Sequence, residues 1–324
     1  MSKVLLEVQN LQTYFPIRGG VVQKTVGHVH AVEDVSFTIH EQETYGLVGE
    51  SGCGKSTTGY SLLRLTEPTA GKIYFDGEDL SALGSEAMRQ KRKDMQLVFQ
   101  NPYSSLNPRM TVRKLLEEPL QTHFKLSRAE LDEKVAWIAE AVGLVPEQLE
   151  RYPHQFSGGQ RQRISIARAL VTKPRFVVAD EPVSALDVSI QAQILNLLMK
   201  LQKELKLSYL FISHDLNVVR HISNRMGVMY LGRIVEQGAT EDVYQNPLHP
   251  YTRALLSAVP KIDPDAERER IPLEGDVPSP ANPPKGCAFH ARCAHCKEIC
   301  KQAVPETKEL APGHFVACHL YDAQ

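Results

Sequence analysis

The feature that most constrains the fold of this chain is a glycine-rich segment between a β-prone run, residues 44–48, and a helix-prone run, residues 58–64. It matches the phosphate-loop pattern G-x-x-x-x-G-K-[ST] and consists of Gly49, Glu50, Ser51, Gly52, Cys53, Gly54, Lys55, Ser56 and Thr57. Strand, glycine loop and helix in this order are the context in which the pattern wraps a phosphate. The segment therefore predicts nucleotide binding, without indicating what the nucleotide is used for.

Each residue type in this phosphate loop has a chemical part to play. The glycines allow successive backbone N–H groups to point at one anion, and the helix N-terminus adds partial positive charge. We expect Lys55 to reach the β- and γ-phosphates and the Ser56 hydroxyl to bind Mg²⁺. The alternative is a glycine turn with an incidental Lys-Ser pair.

The composition excludes several classes of protein. With 42% hydrophobic and 23% charged residues, the chain of 324 residues is typical of soluble globular proteins. A formal net charge of -1 gives no basic field, so nucleic acid is not an expected partner. No apolar run approaches the roughly 18 residues of a membrane-spanning helix, and the N-terminus lacks a signal-peptide core. We therefore expect a cytoplasmic protein whose membrane attachment, if any, comes through partner subunits.

Polar residues with metal and water chemistry follow two predicted buried strands. Residues 176–179 form an apolar run typical of a parallel strand covered on both faces, and Asp180 and Glu181 end it. Alongside a phosphate loop, Asp180 is expected to hold Mg²⁺ and Glu181 to polarise the attacking water. A helix-capping acid pair is the alternative. His214 follows the strand 209–213 and is placed to donate to a γ-phosphate, although a lone histidine is usually a packing residue.

Two further segments are candidates for contact with the nucleotide. Gln100 ends a predicted strand that begins at Met95, at the edge where ligands bind in open α/β sheets; a solvent-exposed glutamine fits equally well. A helix begins with Ser157, Gly158, Gly159 and Gln160, which offer N–H groups and a hydroxyl to a second anion. An ordinary capped helix is the alternative for that segment.

The N-terminal residues predict an extended hairpin. Runs 5–8 and 31–39 favour strands, with a Gly19–Gly20 turn between them. Phe15 and Tyr14 precede the phosphate loop by about thirty residues, a position from which an aromatic ring can stack on a base. Core packing is an equally good explanation of these rings.

The pattern changes after Gly232. Pro260 and Pro264 break the chain, and residues 278–284 are too proline-rich for a helix or a central strand. We interpret residues 238–324 as a smaller appended region. Five of the six cysteines lie there: Cys287, Cys293, Cys296, Cys300 and Cys318.

In a reducing compartment, cysteines so clustered indicate a metal or cluster before disulfides. Spacing alone leaves zinc, an iron–sulfur cluster and unliganded thiols open. Mixed Cys/His zinc ligation also stays open because histidines lie nearby: His290, His295, His314 and His319.

The order and spacing of these motifs resembles the ATP-binding cassette (ABC) family over residues 1–235. That resemblance implies an α/β fold: a P-loop RecA-like core with an antiparallel β subdomain and a helical subdomain at about 101–172, the cassette covering residues 1–237. The resemblance rests on residues 49–56, Gln100, residues 157–160, residues 176–181, residues 184–187 and His214.

Roles for individual residues follow from the resemblance alone. Phe15, with Tyr14 as second choice, would stack on adenine, and Gln100 would sense Mg²⁺ and contact a membrane subunit. Glu181 would be the general base and His214 a clamp on the γ-phosphate. In the other cassette of a dimer, residues 157–160 would close over that phosphate, chiefly through Ser157 and Gly159, and Asp187 would signal between the cassettes.

The C-terminal residues resemble those of ATPase subunits of oligopeptide and dipeptide importers, closest to the F-type subunit. The similarity rests on residues 101–108, 246–252 and 275–287 and on the cysteines. It implies an ATPase bound peripherally to the cytoplasmic side of the membrane, with a second ATPase subunit (a paralogue or a copy), two permeases and an extracellular peptide-binding protein. In that family a four-cysteine pattern, which Cys287, Cys293, Cys300 and Cys318 match, binds a [4Fe–4S] cluster; Cys296 does not fit it.

Three alternatives remain at this point. An importer of nickel or another small solute would use the same type of subunit. A soluble cassette protein of translation or DNA repair would act without a membrane partner. In the third alternative, the cysteine region is a metal or redox sensor that gates transport.

Overall fold

The computed structural model describes residues 3–20, 23–259 and 271–322; Pro260 and Pro264 lie outside the described residues. The chain divides into two compact units. The first unit comprises residues 1–5, 39–44 and 82–212, and the second comprises residues 6–38, 45–81 and 213–324. No helix among the described residues is long and apolar enough to cross a membrane.

The strands in chain order are β1 (Val4–Gly19), β2 (Lys24–His40), β3 (Thr44–Val48), β4 (Ala70–Phe75), β5 (Glu78–Asp79), β6 (Met95–Val98), β7 (Phe176–Asp180), β8 (Ser208–Ser213), β9 (Arg225–Tyr230), β10 (Arg233–Ala239), β11 (Thr307–Ala311) and β12 (His314–Ala317). The α-helices are α1 (Lys55–Leu62), α2 (Ser85–Lys91), α3 (Pro102–Ser105), α4 (Val112–His123), α5 (Arg128–Ala141), α6 (Gly158–Leu170), α7 (Val188–Leu205), α8 (Leu216–Ile222), α9 (Thr240–Gln245), α10 (Pro250–Ser257) and α11 (Glu298–Gln302). Short 3₁₀ turns occur at Leu80–Ala82, Pro146–Gln148, Pro153–Gln155, His290–Arg292 and His319–Tyr321.

The core of the first unit is a run of parallel strands in the order β6-β7-β8. Every residue of β7 and β8 is buried, which confirms the prediction that these apolar runs are covered on both faces. β6 ends at Val98, two residues before the predicted end at Gln100.

Helix α5 of the first unit has a clear start and end. Ser127 and Glu130 form a capping box: the Ser127 N–H donates to the Glu130 carboxylate at 2.7 Å, and the Glu130 N–H donates to Ser127 Oγ at 3.4 Å. The buried face of α5 consists of Leu131, Val135, Ile138 and Ala139. The helix stops just before Gly143, whose φ of 78° suits a left-handed terminus.

The second unit contains two sets of strands. An antiparallel sheet has the order β2-β1-β4-β5, which confirms the N-terminal hairpin with its turn at Gly19 and Gly20. Both hairpin strands are much longer than the predicted runs. The other strands have the order β11-β12-β10-β9-β3, in which only the β3–β9 pair is parallel.

The C-terminal residues are packed into the second unit, so the prediction of a separate cysteine-rich extension is not supported. β12 pairs with β10, with Glu236 opposite Val316, and the predicted boundary after residue 237 falls inside β10. Tyr251, Phe289 and Val316 are buried. The sequence predicted a separate region because prolines and cysteines interrupt its hydrophobic periodicity. The strand that pairs with β12 is β10, about eighty residues earlier in the chain, and no local pattern indicates a pairing over that distance.

Candidate nucleotide site

The phosphate loop has the backbone conformation that its glycines predict. β3 is fully buried, and α1 begins at Lys55 directly after the loop. Gly49 and Gly54 have φ of 154° and 106°, and a Cβ at these positions would collide with the carbonyl oxygens of Met229 and Ala31. Among the described residues, no side chain caps α1. The first turn of the helix therefore presents its N–H groups at the loop.

Lys55 and Cys53 are the buried side chains of the loop. Lys55 Nζ donates to the carbonyl oxygens of Gly49 at 2.8 Å and Glu50 at 3.0 Å, and it lies 3.9 Å from Cys53 Sγ. Burial raises the pKa of the Cys53 thiol, so it is neutral beside the ammonium. Ser51 and Gly52 are exposed, and Ser56 and Thr57 are half-buried.

Glu181 and Gln100, predicted separately, are in direct contact in the first unit. Gln100 Nε2 donates to Glu181 Oε2 at 2.8 Å. The Glu181 carboxylate is mostly buried at the end of β7, and Asp180 beside it is buried. Glu181 has a φ of 43°, and its N–H donates to the Ile212 carbonyl at 3.0 Å. A non-glycine residue in the left-handed region is uncommon and is often found at functional sites.

The Ser157 segment is a capped helix start, which was one of the two interpretations left open. The Gln160 N–H donates to Ser157 Oγ at 3.4 Å, and Gln160 Oε1 accepts from the Ser157 N–H at 3.1 Å. Ser157 is exposed, and Gly158 and Gly159 are half-buried. A side chain at Gly159 would collide with Ile190 of α7. The structure therefore places this helix start at the surface of the first unit.

Asp187 and His214 are also at the surface. Asp187 caps α7 through its backbone, and the next residue, Val188, is 82% exposed. His214 follows β8 in the second unit and is exposed, so the structure gives no sign that it is a packing residue.

The structure separates the two aromatic candidates near the N-terminus. Tyr14 Oη donates to the Glu33 carboxylate at 2.7 Å, and its ring lies 4.2 Å from that of His30. Burial, followed by the bond to Glu33, raises the pKa of Tyr14 to about 12. Phe15 is 41% exposed. Tyr14 is thus occupied inside the unit, and Phe15 presents its ring to solvent.

Sequence reasoning missed two residues, Tyr251 and Arg292, that contact Glu50 of the phosphate loop. The Glu50 N–H donates to Tyr251 Oη at 3.0 Å. Arg292 donates two hydrogen bonds to the Glu50 carboxylate, from Nη1 at 2.7 Å and from Nη2 at 3.2 Å. This interaction raises the pKa of the guanidinium. Residues 246–252 marked the family but carried no indication that Tyr251 touches the loop. Only the long-range fold brings these residues together.

The cysteine region is reduced and closely tied by hydrogen bonds. Its cysteines form no disulfide, and Cys287, Cys300 and Cys318 are buried. The Cys287 N–H donates to the Cys300 carbonyl at 2.8 Å, and the Lys297 N–H lies 3.4 Å from Cys300 Sγ. Burial is the main reason that the pKa of Cys287 rises to about 11.

This arrangement does not support the predicted metal ligands. The described residues contain no group of three or more His, Cys, Asp or Glu side chains that could hold a metal ion. Nearby histidines have other partners, since His314 Nε2 lies 2.8 Å from Glu236 Oε1 and His319 Nδ1 lies 2.6 Å from Asp322 Oδ2. Spacing along the chain predicted proximity, but it could not determine whether the sulfur atoms converge on one point.

Comparison with known proteins matches both parts of the sequence. Residues 32–184 match the ABC transporter family, and residues 235–300 match the C-terminal region of oligopeptide/dipeptide transporters. The oligopeptide transport ATP-binding protein AppF of Bacillus subtilis is 57% identical over 323 residues, which cover 99% of this chain and 98% of AppF. The dipeptide transport ATP-binding protein DppF of Haemophilus influenzae is 52% identical, over 98% of this chain and 97% of DppF.

Solved structures confirm the fold. The ATP-binding cassette MJ0796, a dimer in a post-hydrolysis state with ADP and Pi, has a TM-score of 0.65 and 28% identity over 73% of this chain and 99% of that one. CbiO1 of Clostridium perfringens, part of the CbiONQ ABC transporter complex, has a TM-score of 0.65 and 26% identity over 76% and 92%.

The fold and the phosphate loop thus define a nucleotide-binding domain of the predicted α/β class. The chain belongs to the ABC transporter family, in the branch of oligopeptide/dipeptide importer ATPases. It is an ATPase whose hydrolysis is coupled to transport.

Proposed function

We propose that this chain is the ATP-hydrolysing subunit of an importer of oligopeptides or dipeptides, bound peripherally to the cytoplasmic face of the membrane. The observation that carries the proposal is the similarity to AppF and DppF over nearly the whole chain, including the C-terminal region. Two permeases, an extracellular peptide-binding protein and a second cassette would complete the transporter. That second cassette would be a paralogue or a copy of this chain.

Binding of ATP falls to the phosphate loop and to Phe15. The loop N–H groups, the Lys55 ammonium and the α1 N-terminus supply positive charge for the phosphates. Phe15, exposed in the same unit, would stack on the adenine.

Oxygen donors suit Mg²⁺, and this chain offers three: the Ser56 hydroxyl, the Gln100 amide and the Asp180 carboxylate. When bound, Mg²⁺ would neutralise charge on the phosphates. These residues fit that ion by their chemistry, and we assign them as its ligands.

Glu181 is proposed as the general base. Its carboxylate is held by Gln100 at 2.8 Å and is largely shielded from solvent, which favours a fixed orientation towards an attacking water. His214 would donate to the γ-phosphate from the end of β8. The exposed positions of Ser157 and Asp187 suit action on ATP held by the second cassette.

The test is ATP-dependent uptake of a labelled oligopeptide into proteoliposomes that hold this chain with its candidate permeases, second ATPase and binding protein. Lys55→Ala should abolish uptake, while Lys200→Ala, which changes a half-exposed lysine on α7, should leave it unchanged. ATP hydrolysis without uptake would contradict peptide import. It would favour a nickel or other solute importer, or a soluble cassette protein.

We also propose an iron–sulfur cluster at Cys287, Cys293, Cys300 and Cys318, with a structural role. Because the described residues contain no group of three or more side chains that could hold a metal ion, this proposal rests on the four-cysteine pattern of the sequence. Further support comes from the buried thiols of Cys287, Cys300 and Cys318 and from the Lys297 N–H near Cys300 Sγ.

Iron and acid-labile sulfide in protein purified without oxygen would test the cluster. Wild type and the matched Cys296→Ser variant should contain both, and Cys300→Ser should contain neither. Iron-free wild-type protein that still binds ATP would rule the cluster out.

A further inference from the structure

One residue of the phosphate loop, Glu50, is held by the C-terminal region through both its side chain and its backbone. Arg292 forms two parallel bonds to the carboxylate, Nη1 to Oε2 at 2.7 Å and Nη2 to Oε1 at 3.2 Å. Tyr251 Oη accepts the Glu50 N–H at 3.0 Å. A two-armed arginine bond fixes orientation as well as distance.

These two holding residues are themselves rigidly placed. Arg292 has a side chain only 6% exposed, and Tyr251 is completely buried. The Tyr251 ring lies 4.7 Å from that of Tyr230 and 5.4 Å from that of Phe289, and Arg292 lies over the Tyr230 ring at 5.9 Å. A packed aromatic group of this kind has little freedom to follow a moving loop.

The start of α10 is held in place by hydrogen bonds to the buried carboxylate of Glu236. Glu236 accepts the N–H groups of Leu248 and His249, each at 2.8 Å, and lies 2.8 Å from His314 Nε2. His249 Nδ1 in turn accepts the Tyr251 N–H at 3.0 Å. The position of Tyr251 is therefore set by the sheet strand β10 and by β12.

Glu50 connects this support to the lysine of the loop. Its carbonyl oxygen accepts from Lys55 Nζ at 3.0 Å, so the residue held by Arg292 also holds the ammonium. Arg292 Nε is buried without a hydrogen-bond partner among the described residues. The Arg292–Glu50 ion pair is weak evidence for a contribution to stability, because burying an incompletely paired charge costs free energy. A role in positioning the phosphate loop explains better why this buried pair is present.

We propose that Arg292 and Tyr251 are positioning residues of the nucleotide site, so that the C-terminal region sets the shape of the phosphate loop and thereby the affinity for ATP. This inference rests on the proposed role of the loop in binding ATP. It assigns a function to the family's C-terminal region that is separate from any metal: it acts as a brace for the loop.

Equilibrium binding of a fluorescent ATP analogue to the full chain tests the proposal, alongside the thermal unfolding midpoint. Arg292→Gln should weaken affinity about tenfold and Tyr251→Phe about fivefold, with the midpoint within a few degrees of wild type. Arg220→Gln is the matched control, since Arg220 also donates two hydrogen bonds to one carboxylate, that of Glu241, but on the exposed surface. It should bind ATP as wild type does.

A double-mutant cycle separates placement of the loop from general damage. If Arg292 acts through Glu50, Arg292→Gln combined with Glu50→Gln should bind no more weakly than the poorer single variant. Fully additive losses would overturn the proposal, as would an affinity within twofold of wild type in both Arg292→Gln and Tyr251→Phe. Should Arg292→Gln fail to fold, Arg292→Lys keeps the charge without the two-armed bond and should show an intermediate loss.

Lys55→Ala distinguishes this inference from the function on which it rests. Loss of ATP binding in Lys55→Ala together with normal binding in Arg292→Gln would contradict only the positioning role of the C-terminal region. Normal ATP binding in Lys55→Ala would contradict the proposed role of the phosphate loop itself.

Discussion

At the scale of single residues, the site depends on a few constrained backbone positions. Glu181 occupies a left-handed conformation, which places its carboxylate beside the amide of Gln100. Gly49 and Gly54 take conformations in which a side chain would collide with backbone carbonyls. The site therefore depends on backbone conformations with positive φ, which few residue types tolerate.

Glu181→Gln should keep ATP affinity within twofold of wild type and lower hydrolysis at least a hundredfold. The amide preserves the shape of the side chain but cannot accept a proton from water, and a general base contributes about 10²–10⁴ in rate. Binding of a fluorescent ATP analogue and phosphate release measure the two effects. A hydrolysis rate within tenfold of wild type would exclude Glu181 as the base.

Gly54→Ala should lower the free energy of unfolding by at least about 2 kcal/mol, since the new methyl group meets the Ala31 carbonyl at an unfavourable φ. Gly84→Ala is the matched control, because φ is -68° and a Cβ there meets nothing within 4 Å. It should lower stability by less than about 1 kcal/mol, the cost expected because Gly84 is the N-cap of α2 and Ala is a poorer N-cap than Gly. Chemical denaturation measures both, and equal effects in the two variants would refute the explanation.

At the scale of elements, α10 depends on an unusual cap. His249 is buried, and its Nδ1 accepts the N–H of Tyr251 at 3.0 Å, which requires the neutral ring. Burial, with a smaller effect of the Arg253 charge, lowers the pKa of His249 to about 3. The helix that carries Tyr251 to the phosphate loop is therefore sensitive to acid.

Between pH 3 and pH 6.5, His249 is neutral in the folded protein but protonated in the unfolded chain. The contribution of His249 to the free energy of unfolding is therefore fully present above pH 6.5 and falls on acidification. At about 1.4 kcal/mol per pH unit, wild type should lose about 2 kcal/mol between pH 6.5 and 5 from this residue. His249→Asn keeps an N-cap acceptor without the titration and should lose about that much less. Denaturation at both pH values measures the difference, and parallel losses would contradict it.

At the scale of the whole molecule, the exposed helix start at Ser157 agrees with its proposed action on a nucleotide held by a second cassette. Ser157 and Asp187 are both exposed at the start of a helix in the first unit: Ser157 is the N-cap of α6 and Asp187 that of α7. If the proposed role of Ser157 is right, hydrolysis, and not initial ATP binding, requires contact with a second cassette.

Ser157→Arg should abolish hydrolysis and leave ATP affinity within twofold of wild type. The large side chain at the exposed cap would block approach of the second cassette, while the chain's own phosphate loop is unchanged. Phosphate release by the complete transporter and binding to the isolated chain measure the two properties. Retained hydrolysis would show that Ser157 does not face a partner's nucleotide.

Local signals predicted the elements well. The predicted strands that precede Asp180 and His214 are buried parallel strands in the structure. Spacing along the chain also placed the phosphate loop correctly between β3 and α1. These features depend on residues within a few positions of one another, where propensity and patterning operate.

The sequence by itself determined the phosphate loop, the acids at the end of β7 and the family, because each rests on residue types at short, fixed spacing. Only the tertiary structure decided that Gln100 meets Glu181, that Tyr14 is occupied while Phe15 is exposed, and that Arg292 holds Glu50. Those contacts join residues from 19 to 242 positions apart. Side chains so distant in the chain meet only when the whole hydrophobic core has formed, and no local pattern records that event.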